Sequence, residues 1–151
     1  MHTFNLLRIG FLCLLSLVFS SQVFAQEEEI LKRRLLMETN NDAVVKALKT
    51  AVATKDYPAI EVKAKEIMGN MDQLLNLFPK GSLSEKSRAK AEIWEKWDEF
   101  TKYRDNVKKA AQDLAGAAKA QDQVKLEASF NTLGEACASC HKPFRAPRKG
   151  G

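Results

Sequence analysis

Helical periodicity over nearly the whole chain is the feature that most constrains its fold. Apolar residues recur every three or four positions in four successive segments, and no Val/Ile/Thr-rich stretch alternates apolar and polar residues as a strand would. The segments run from Glu27 to about Thr54, from about Pro58 to Phe78, from about Ile93 to Ala120 and from about Asp122 to Phe144. Short connections before the second and fourth segments favour antiparallel neighbours. We therefore predict an all-α, up-down-up-down four-helix bundle.

Each segment carries one apolar stripe, and the stripes are expected to form the core. They consist of Ile30, Met37, Val44, Leu48 and Val52; of Ile60, Ala64, Ile67, Met71, Leu74 and Phe78; of Ile93, Trp97, Phe100, Val107, Ala111, Leu114 and Ala118; and of Leu126, Phe130, Leu133, Cys137, Cys140 and Phe144. Gly/Ser-containing sequence from Pro79 to about Ala91 predicts a loop between the second and third helices.

The first 25 residues are expected to form a cleaved secretory signal peptide. A weakly positive start precedes the apolar run 9–18, and Val23 and Ala25 supply small residues before a predicted cleavage after Ala25. The apolar run is shorter than the roughly 20 residues of a membrane-spanning helix. Residues 26–151 are thus predicted to be one exported domain, with no membrane span after cleavage, in the periplasm of a Gram-negative type of bacterium.

The charge pattern excludes some classes of function. The net charge is only +5, and basic and acidic residues alternate along the chain, which is typical of solvated helix faces. No basic stripe with interleaved aromatic residues indicates nucleic-acid binding. No catalytic acid, base or nucleophile is assembled, so we do not expect an enzyme.

The chemistry is concentrated in Cys137-Ala138-Ser139-Cys140-His141, the C-x-x-C-H motif of covalent haem attachment. On a helix the two cysteines are three residues apart and project from one face, so both thiols can add to the vinyl groups of one porphyrin. The next residue, His141, can reach the iron from the same side. We predict one covalent haem c between the helices, near the C-terminal helix, with His141 as an axial iron ligand.

Three other interpretations of the cysteine pair fit less well. A thioredoxin-like pair lies at a helix N-terminus, which lowers the thiol pKa, whereas this pair lies near a predicted helix end. A structural zinc site needs four Cys or His ligands, and residues 26–151 contain only these three. Two inert buried cysteines would leave His141 unexplained.

The second axial ligand must come from elsewhere, because His141 is the only histidine after residue 25. Of the methionines there, Met68 and Met71 are expected to fill the core. Met37 differs because Arg33 lies one turn before it. A guanidinium on an inward stripe needs a partner such as a haem propionate. Alternatively, Arg33 and Arg34 both lie on a solvated flank.

The chain resembles the cytochrome c′ family, the four-helix-bundle c-type cytochromes, over nearly all of residues 27–145. The resemblance is carried by the segment 33–37, by Leu77-Phe78-Pro79, by Glu92-Ile93-Trp94 with Phe100, and by the segment from Gly134 through the haem motif to Arg145.

The resemblance implies roles for individual residues. Arg33 matches an arginine near a haem propionate, and Met37 matches the distal position, which is apolar in high-spin members and a ligating methionine in low-spin ones. Arg145 matches a basic residue beside the haem histidine, and Gly134 a small residue that lets the helix approach the porphyrin. Pro143 departs from the pattern and can bend or end the helix after His141.

Two functions are therefore expected. The leading one is a periplasmic single-electron carrier with low-spin, six-coordinate iron between His141 and Met37, which exchanges electrons with redox partner proteins. The alternative is a five-coordinate protein that binds nitric oxide or carbon monoxide. A homodimer through the first two helices is common in the family, and Ile60 and Val62 could belong either to the core or to such an interface.

Overall fold

Five helices make up most of the chain that the computed structural model describes, residues 26–148. Helix α1 is α-helical over 26–42, continues as a π-helix over Ala43–Leu48 and ends as an α-helix over Lys49–Thr54. The others are α2 (Tyr57–Leu74, extended by a 3₁₀ turn over Leu75–Leu77), the short α3 (Glu92–Glu95), α4 (Trp97–Lys119) and α5 (Gln123–Phe144). No strand occurs in these residues, and the predicted all-α bundle of four long helices is confirmed.

The predicted signal peptide, residues 1–25, lies outside the described residues. Within 26–148, no helix is both long and apolar enough to cross a membrane.

Tight, capped turns connect the antiparallel helix pairs. Asp56 precedes α2, and its carboxylate accepts a hydrogen bond of 3.1 Å from the backbone N–H of Ala59, while Pro58 occupies the first turn. Asp122 caps α5 in the same way, accepting from the N–H of Lys125 at 3.1 Å. The sequence signals for both helix starts are therefore reproduced in the structure.

The core consists largely of the predicted stripes. The side chains with almost no exposed surface include Leu48, Ile60, Ile67, Leu74, Ile93, Leu114, Leu126 and Leu133. Five stripe residues other than the cysteines are only half-buried: Met37, Val44, Val52, Trp97 and Phe130.

Two irregularities depart from the predicted continuous helices. The π-helix in α1 holds more residues per turn than an α-helix, so it shifts the phase of the stripe: Ala43 is buried whereas Val44 is only half-buried. The predicted third helix is broken at Lys96, whose φ of −123° and ψ of 48° separate α3 from α4. Beside the break the Trp94 indole N–H donates to the carbonyl of Phe78 at 3.1 Å, a tertiary contact that helical periodicity does not contain.

The α2–α3 loop is fastened to the end of α5. The N–H of Lys90 donates to the carbonyl of Phe144 at 3.1 Å, and the N–H of Ala146 donates to the carbonyl of Arg88 at 2.8 Å. The Lys90 ammonium adds a bond of 2.8 Å to the carbonyl of Pro143. These bonds place the loop against the helix that carries the cysteine–histidine motif.

Candidate functional site

A cavity of about 680 Å³ opens between α1, the α2–α3 loop, the α3–α4 region and the end of α5. This volume lies in the range of small-molecule and cofactor sites, roughly 300–1,000 Å³. The lining residues are Arg33, Arg34, Met37, Glu38, Asn41 and Asp42 from α1; Phe78, Lys86, Ser87, Arg88 and Ala89 around the loop; Ile93 and Phe100; and Cys140, His141, Phe144, Arg145 and Arg148.

The cysteine–histidine motif forms part of one wall. Cys140 and His141 line the cavity, and Cys137 lies one turn earlier on α5. Both cysteines are free and half-buried against the core. The structure thus brings two of the three motif residues onto the cavity surface and keeps the third on the adjacent turn.

Burial keeps the two thiols uncharged. It raises the pKa of Cys137, and it raises the pKa of Cys140 to about 11, with the neighbouring Cys137 adding to the shift. A thioredoxin-like pair would need a lowered thiol pKa. In residues 26–148 no group of three His, Cys, Asp or Glu side chains is arranged to hold a metal ion. The raised thiol pKa values therefore disfavour the redox-dithiol interpretation.

The imidazole of His141 is also held in its neutral form. Burial lowers its pKa to about 4, and the positive charges of Arg145 and Arg88 lower it further. A neutral imidazole has a free nitrogen lone pair, which is the form that coordinates iron. The surroundings of His141 thus suit an axial ligand at neutral pH.

Arg33 is buried, with 2% of its surface exposed, so the prediction of a solvated flank is wrong for this residue; its neighbour Arg34 is exposed. Its terminal nitrogens donate to the hydroxyl and the carbonyl of Ser82 at 2.7 and 2.6 Å, to the hydroxyl of Ser87 at 2.8 Å and to the carbonyl of Leu77 at 3.4 Å.

The partners of Arg33 are therefore neutral oxygens rather than a carboxylate. Its Nε–H is buried and has no hydrogen-bond partner. Burial lowers the pKa of the guanidinium to about 10, so it remains charged at neutral pH. A buried cation that lines the cavity and keeps one free donor is suited to an anionic group.

Met37 lines the cavity from α1, a different helix from the one that carries His141. Its side chain is half-buried. By contrast, Met71 is buried in the core and Met68 packs against it, and neither lines the cavity. The structure thus separates the one candidate ligand from the two core methionines.

The two remaining predicted residues differ in position. Arg145 lines the cavity in an extended conformation directly after α5, and its N–H donates to the carbonyl of His141 at 3.0 Å. Pro143 lies within the last turn, and α5 ends one residue later at Phe144.

Gly134 is exposed and does not line the cavity, and a Cβ built on it would contact no atom outside its own helix. Its role beside the porphyrin stays a prediction.

Two serines near the cavity were not singled out from the sequence, whereas the aromatic residues lie on its predicted stripes. Phe100 contacts Phe78 and Phe144 edge-on, with ring centroids 4.9 and 5.3 Å apart, and all three rings line the cavity. Ser82 and Ser87 bind Arg33 from a loop without periodicity. The stripes of the sequence contain all three aromatic residues, but no sequence signal identifies the serines.

The donor set fits a covalently bound haem. Two thiols three residues apart, a neutral imidazole directly after them and a cavity of cofactor size beside them define a c-type haem protein on a four-helix bundle.

Comparison with known proteins identifies the family of the chain. The family model described as Cytochrome C′ matches residues 28–145, and the chain belongs to the cytochrome c′ family. Proteins of this family bind one covalent haem c, and Cys137, Cys140 and His141 supply the attachment motif here. The family comprises electron-carrying and gas-binding haem proteins rather than typical enzymes.

Individual relatives agree with this assignment. The chain is 33% identical over 118 residues to cytochrome c′ of Rhodospirillum rubrum, covering 76% of this chain and 79% of the relative. It is 31% identical over 119 residues to cytochrome c-556 of Agrobacterium tumefaciens, and the match covers 78% of this chain and 96% of the relative.

Solved structures share the fold. Ferric cytochrome c prime from Alcaligenes xylosoxidans has a TM-score of 0.73 at 21% identity, covering 82% of this chain and 97% of that one. Other structures of that protein are described as nitric oxide and carbon monoxide complexes of its variants. A further neighbour, with a TM-score of 0.73 at 24% identity, is described as a cytochrome c′ with ligand-controlled dimer dissociation. This match covers 81% of this chain and 97% of the neighbour's chain.

Proposed function

We propose that this chain is a periplasmic single-electron carrier whose haem iron has His141 and Met37 as its axial ligands. The observation that carries the proposal is the position of Met37: it lines the same cavity as His141, from another helix, whereas Met68 and Met71 do not. When bound, haem supplies a one-electron couple, and a thioether ligand beside histidine raises its potential.

The side chains around the cavity would serve this function by binding the haem and by shielding it from water. Cys137 and Cys140 would hold the haem through thioether bonds, and the neutral imidazole of His141 would be available at neutral pH without prior loss of a proton. Phe78, Phe100 and Phe144 would exclude water from the inner wall.

Three further residues would assist haem binding. The free Nε–H of Arg33 is the donor that would meet a haem propionate. Arg145 would lie beside the histidine that its own backbone N–H already contacts. Gly134, one turn before Cys137, would leave room for the helix to approach the porphyrin.

Gas binding is the second candidate, and the solved neighbours favour it more than they favour electron transfer, because they include nitric oxide and carbon monoxide complexes. In this case Met37 would pack beside the haem without ligating it, and the distal position would remain open. The two functions therefore differ in what one side chain does.

The absorption spectrum of the haem-loaded protein separates the two functions. We expect low-spin spectra in the ferric and ferrous states and little carbon monoxide binding at neutral pH. Met37→Ala should convert the spectrum to high-spin and open the ferrous iron to carbon monoxide. Met68→Ala is the matched control, since Met68 lies outside the cavity, and it should change neither property. Rapid, stoichiometric carbon monoxide binding by the unmodified protein would establish the gas-binding function instead.

The proposed location and partners follow from the same function. The matched relatives are bacterial cytochromes, which supports export to the periplasm with removal of residues 1–25. Partners would be other redox proteins, met through small and short-lived contacts. A homodimer is also proposed, since one structural neighbour is described as a dimer that dissociates under ligand control.

A further inference from the structure

The mouth of the cavity carries an excess of positive charge. Six basic but only two acidic side chains line the cavity. Two of the basic side chains have carboxylate partners: Arg34 lies 3.9 Å from Glu38, and Lys86 lies 2.7 Å from Glu27. Within residues 26–148, no carboxylate forms an ion pair with Arg88, Arg145 or Arg148. We call these three side chains the arginine face.

Backbone hydrogen bonding holds the arginine face together. Ala89 and Arg145 form an isolated antiparallel bridge, and the N–H of Ala146 donates to the carbonyl of Arg88 at 2.8 Å. The two extended segments therefore lie side by side and place their arginines at one mouth. Arg145 and Arg148 are exposed and Arg88 is half-exposed, so all three can be reached from solvent.

Haem alone does not neutralise this face. Haem carries two propionates, and one of them has a donor available in the buried Arg33. Even if both propionates paired with the arginine face, one of its three guanidiniums would remain without a counter-ion. The mouth through which an electron would pass thus keeps a positive potential, which attracts negatively charged surfaces and speeds encounter with them.

We propose that the arginine face is the docking surface for an acidic patch on a protein redox partner. The inference rests on the proposed electron-carrier function, because it places the partner at the haem cavity. A membrane surface is less favoured, since polybasic segments that bind anionic lipid carry about four to eight basic residues, and the arginine face has three.

Binding of a fluorescein-labelled deca-glutamate peptide to the haem-loaded protein tests the proposal at low ionic strength. The double variant R88Q/R148Q removes two charges and leaves Arg145, beside the haem histidine, in place. The matched control K49Q/K55Q removes two exposed charges near the C-terminal end of α1. Neither residue lines the cavity, and neither forms an ion pair within residues 26–148. We expect R88Q/R148Q to weaken peptide binding about fivefold and K49Q/K55Q less than about twofold, as for exposed charge pairs.

A second measurement shows whether the peptide sits at the mouth. Peptide at a concentration near the dissociation constant of the unmodified protein should slow the oxidation of the ferrous protein by hexacyanoferrate(III), and R88Q/R148Q should reduce this slowing at the same peptide concentration. An equal loss of peptide affinity in both double variants would overturn the proposal, because only net charge would then matter. Binding to phosphatidylserine-containing vesicles without binding to the peptide would also overturn it, in favour of a membrane surface.

Failure of the docking proposal can be told from failure of the electron-carrier proposal. The absorption spectrum and carbon monoxide binding of the unmodified protein report on the axial ligands and are measured without any substitution at Arg88 or Arg148. A low-spin protein with no peptide preference for the arginine face would refute only the docking surface. A protein that binds carbon monoxide rapidly would refute the electron carrier, whatever the peptide does.

Discussion

At the scale of single residues, Arg33 shows best how the site is built. A cation on the inward stripe of a helix indicated a nearby anion, yet the structure surrounds its terminal nitrogens with oxygens of Leu77, Ser82 and Ser87. Its guanidinium also lies 4.8 Å from the ring centroid of Phe78. Arg33 therefore fastens the loop to α1, and its free Nε–H would serve the proposed contact with a haem propionate. The two roles use different atoms of one side chain.

Loss of Arg33 should destabilise the protein. Ser82 is fully buried, so Arg33→Met would leave its hydroxyl and its carbonyl without their donor. We expect the free energy of unfolding of the haem-loaded protein to fall by about 2–4 kcal/mol, as for buried polar groups that lose their partners. Urea unfolding followed by circular dichroism measures this. Arg34→Met, at the exposed neighbour, should change stability by less than about 0.5 kcal/mol. Equal effects of the two substitutions would contradict the fastening role.

At the scale of elements, two helices begin where the sequence predicts, and two irregularities do not follow from the sequence. The predicted starts near Pro58 and Asp122 agree with the structure, where Asp56 and Asp122 cap α2 and α5. The π-helix of α1 and the break at Lys96 have no counterpart in the apolar pattern. Both lie near the cavity: the π-helix begins directly after the lining residue Asp42, and the break separates Ile93 from Phe100. The apolar pattern therefore accounts for the regular helices of the bundle and not for these two irregularities.

The cap at Asp122 should make stability depend on pH. The hydrogen bond from the backbone N–H of Lys125 lowers the pKa of this carboxyl below its ordinary 3.8. Its folded-state pKa thus lies below the unfolded value, so the stabilisation is present above that unfolded value and is lost as pH falls through the folded one.

The measurement compares Asp122→Ala with the unmodified protein at two pH values. The urea midpoint should be lower for the variant at pH 6, and the difference should shrink as pH falls below the ordinary carboxyl pKa of 3.8. Glu135→Ala, an exposed position in the middle of α5, is the control and should show no such trend. A difference that stays constant with pH would show that the Asp122 cap does not act through its charge.

At the scale of the whole molecule, the structure assigns Ile60 and Val62 to different environments. Ile60 is fully buried in the core, whereas Val62 is 63% exposed on α2. Leu31 and Leu35 are similarly exposed on α1. Large apolar side chains exposed on the first two helices are consistent with a surface that is covered in an assembly.

We expect the haem-loaded protein to sediment as a dimer through this surface. Leu35→Glu should convert it to a monomer, because a charge would have to be buried without a partner. Val124→Glu, at the most exposed large apolar residue of α5, should leave the dimer intact. Analytical ultracentrifugation distinguishes these results. A monomer at every concentration of the unmodified protein would refute the dimer.

The sequence by itself determined the helical class, most of the core and the identity of the cofactor. These features depend on residues close together in the chain: apolar residues three and four apart, and Cys137, Cys140 and His141 within one and a half turns.

Only the tertiary structure decided which side chains share the cavity. The sequence distinguished Met37 by the arginine one turn before it, but only the structure shows that Met37 and His141 line one cavity and that Met68 does not line it. Ser82, Ser87 and the arginine face come from a loop and a chain end without periodicity, joined by hydrogen bonds between residues more than 40 positions apart. Such contacts depend on how the helices pack, and local sequence patterns carry no record of that packing.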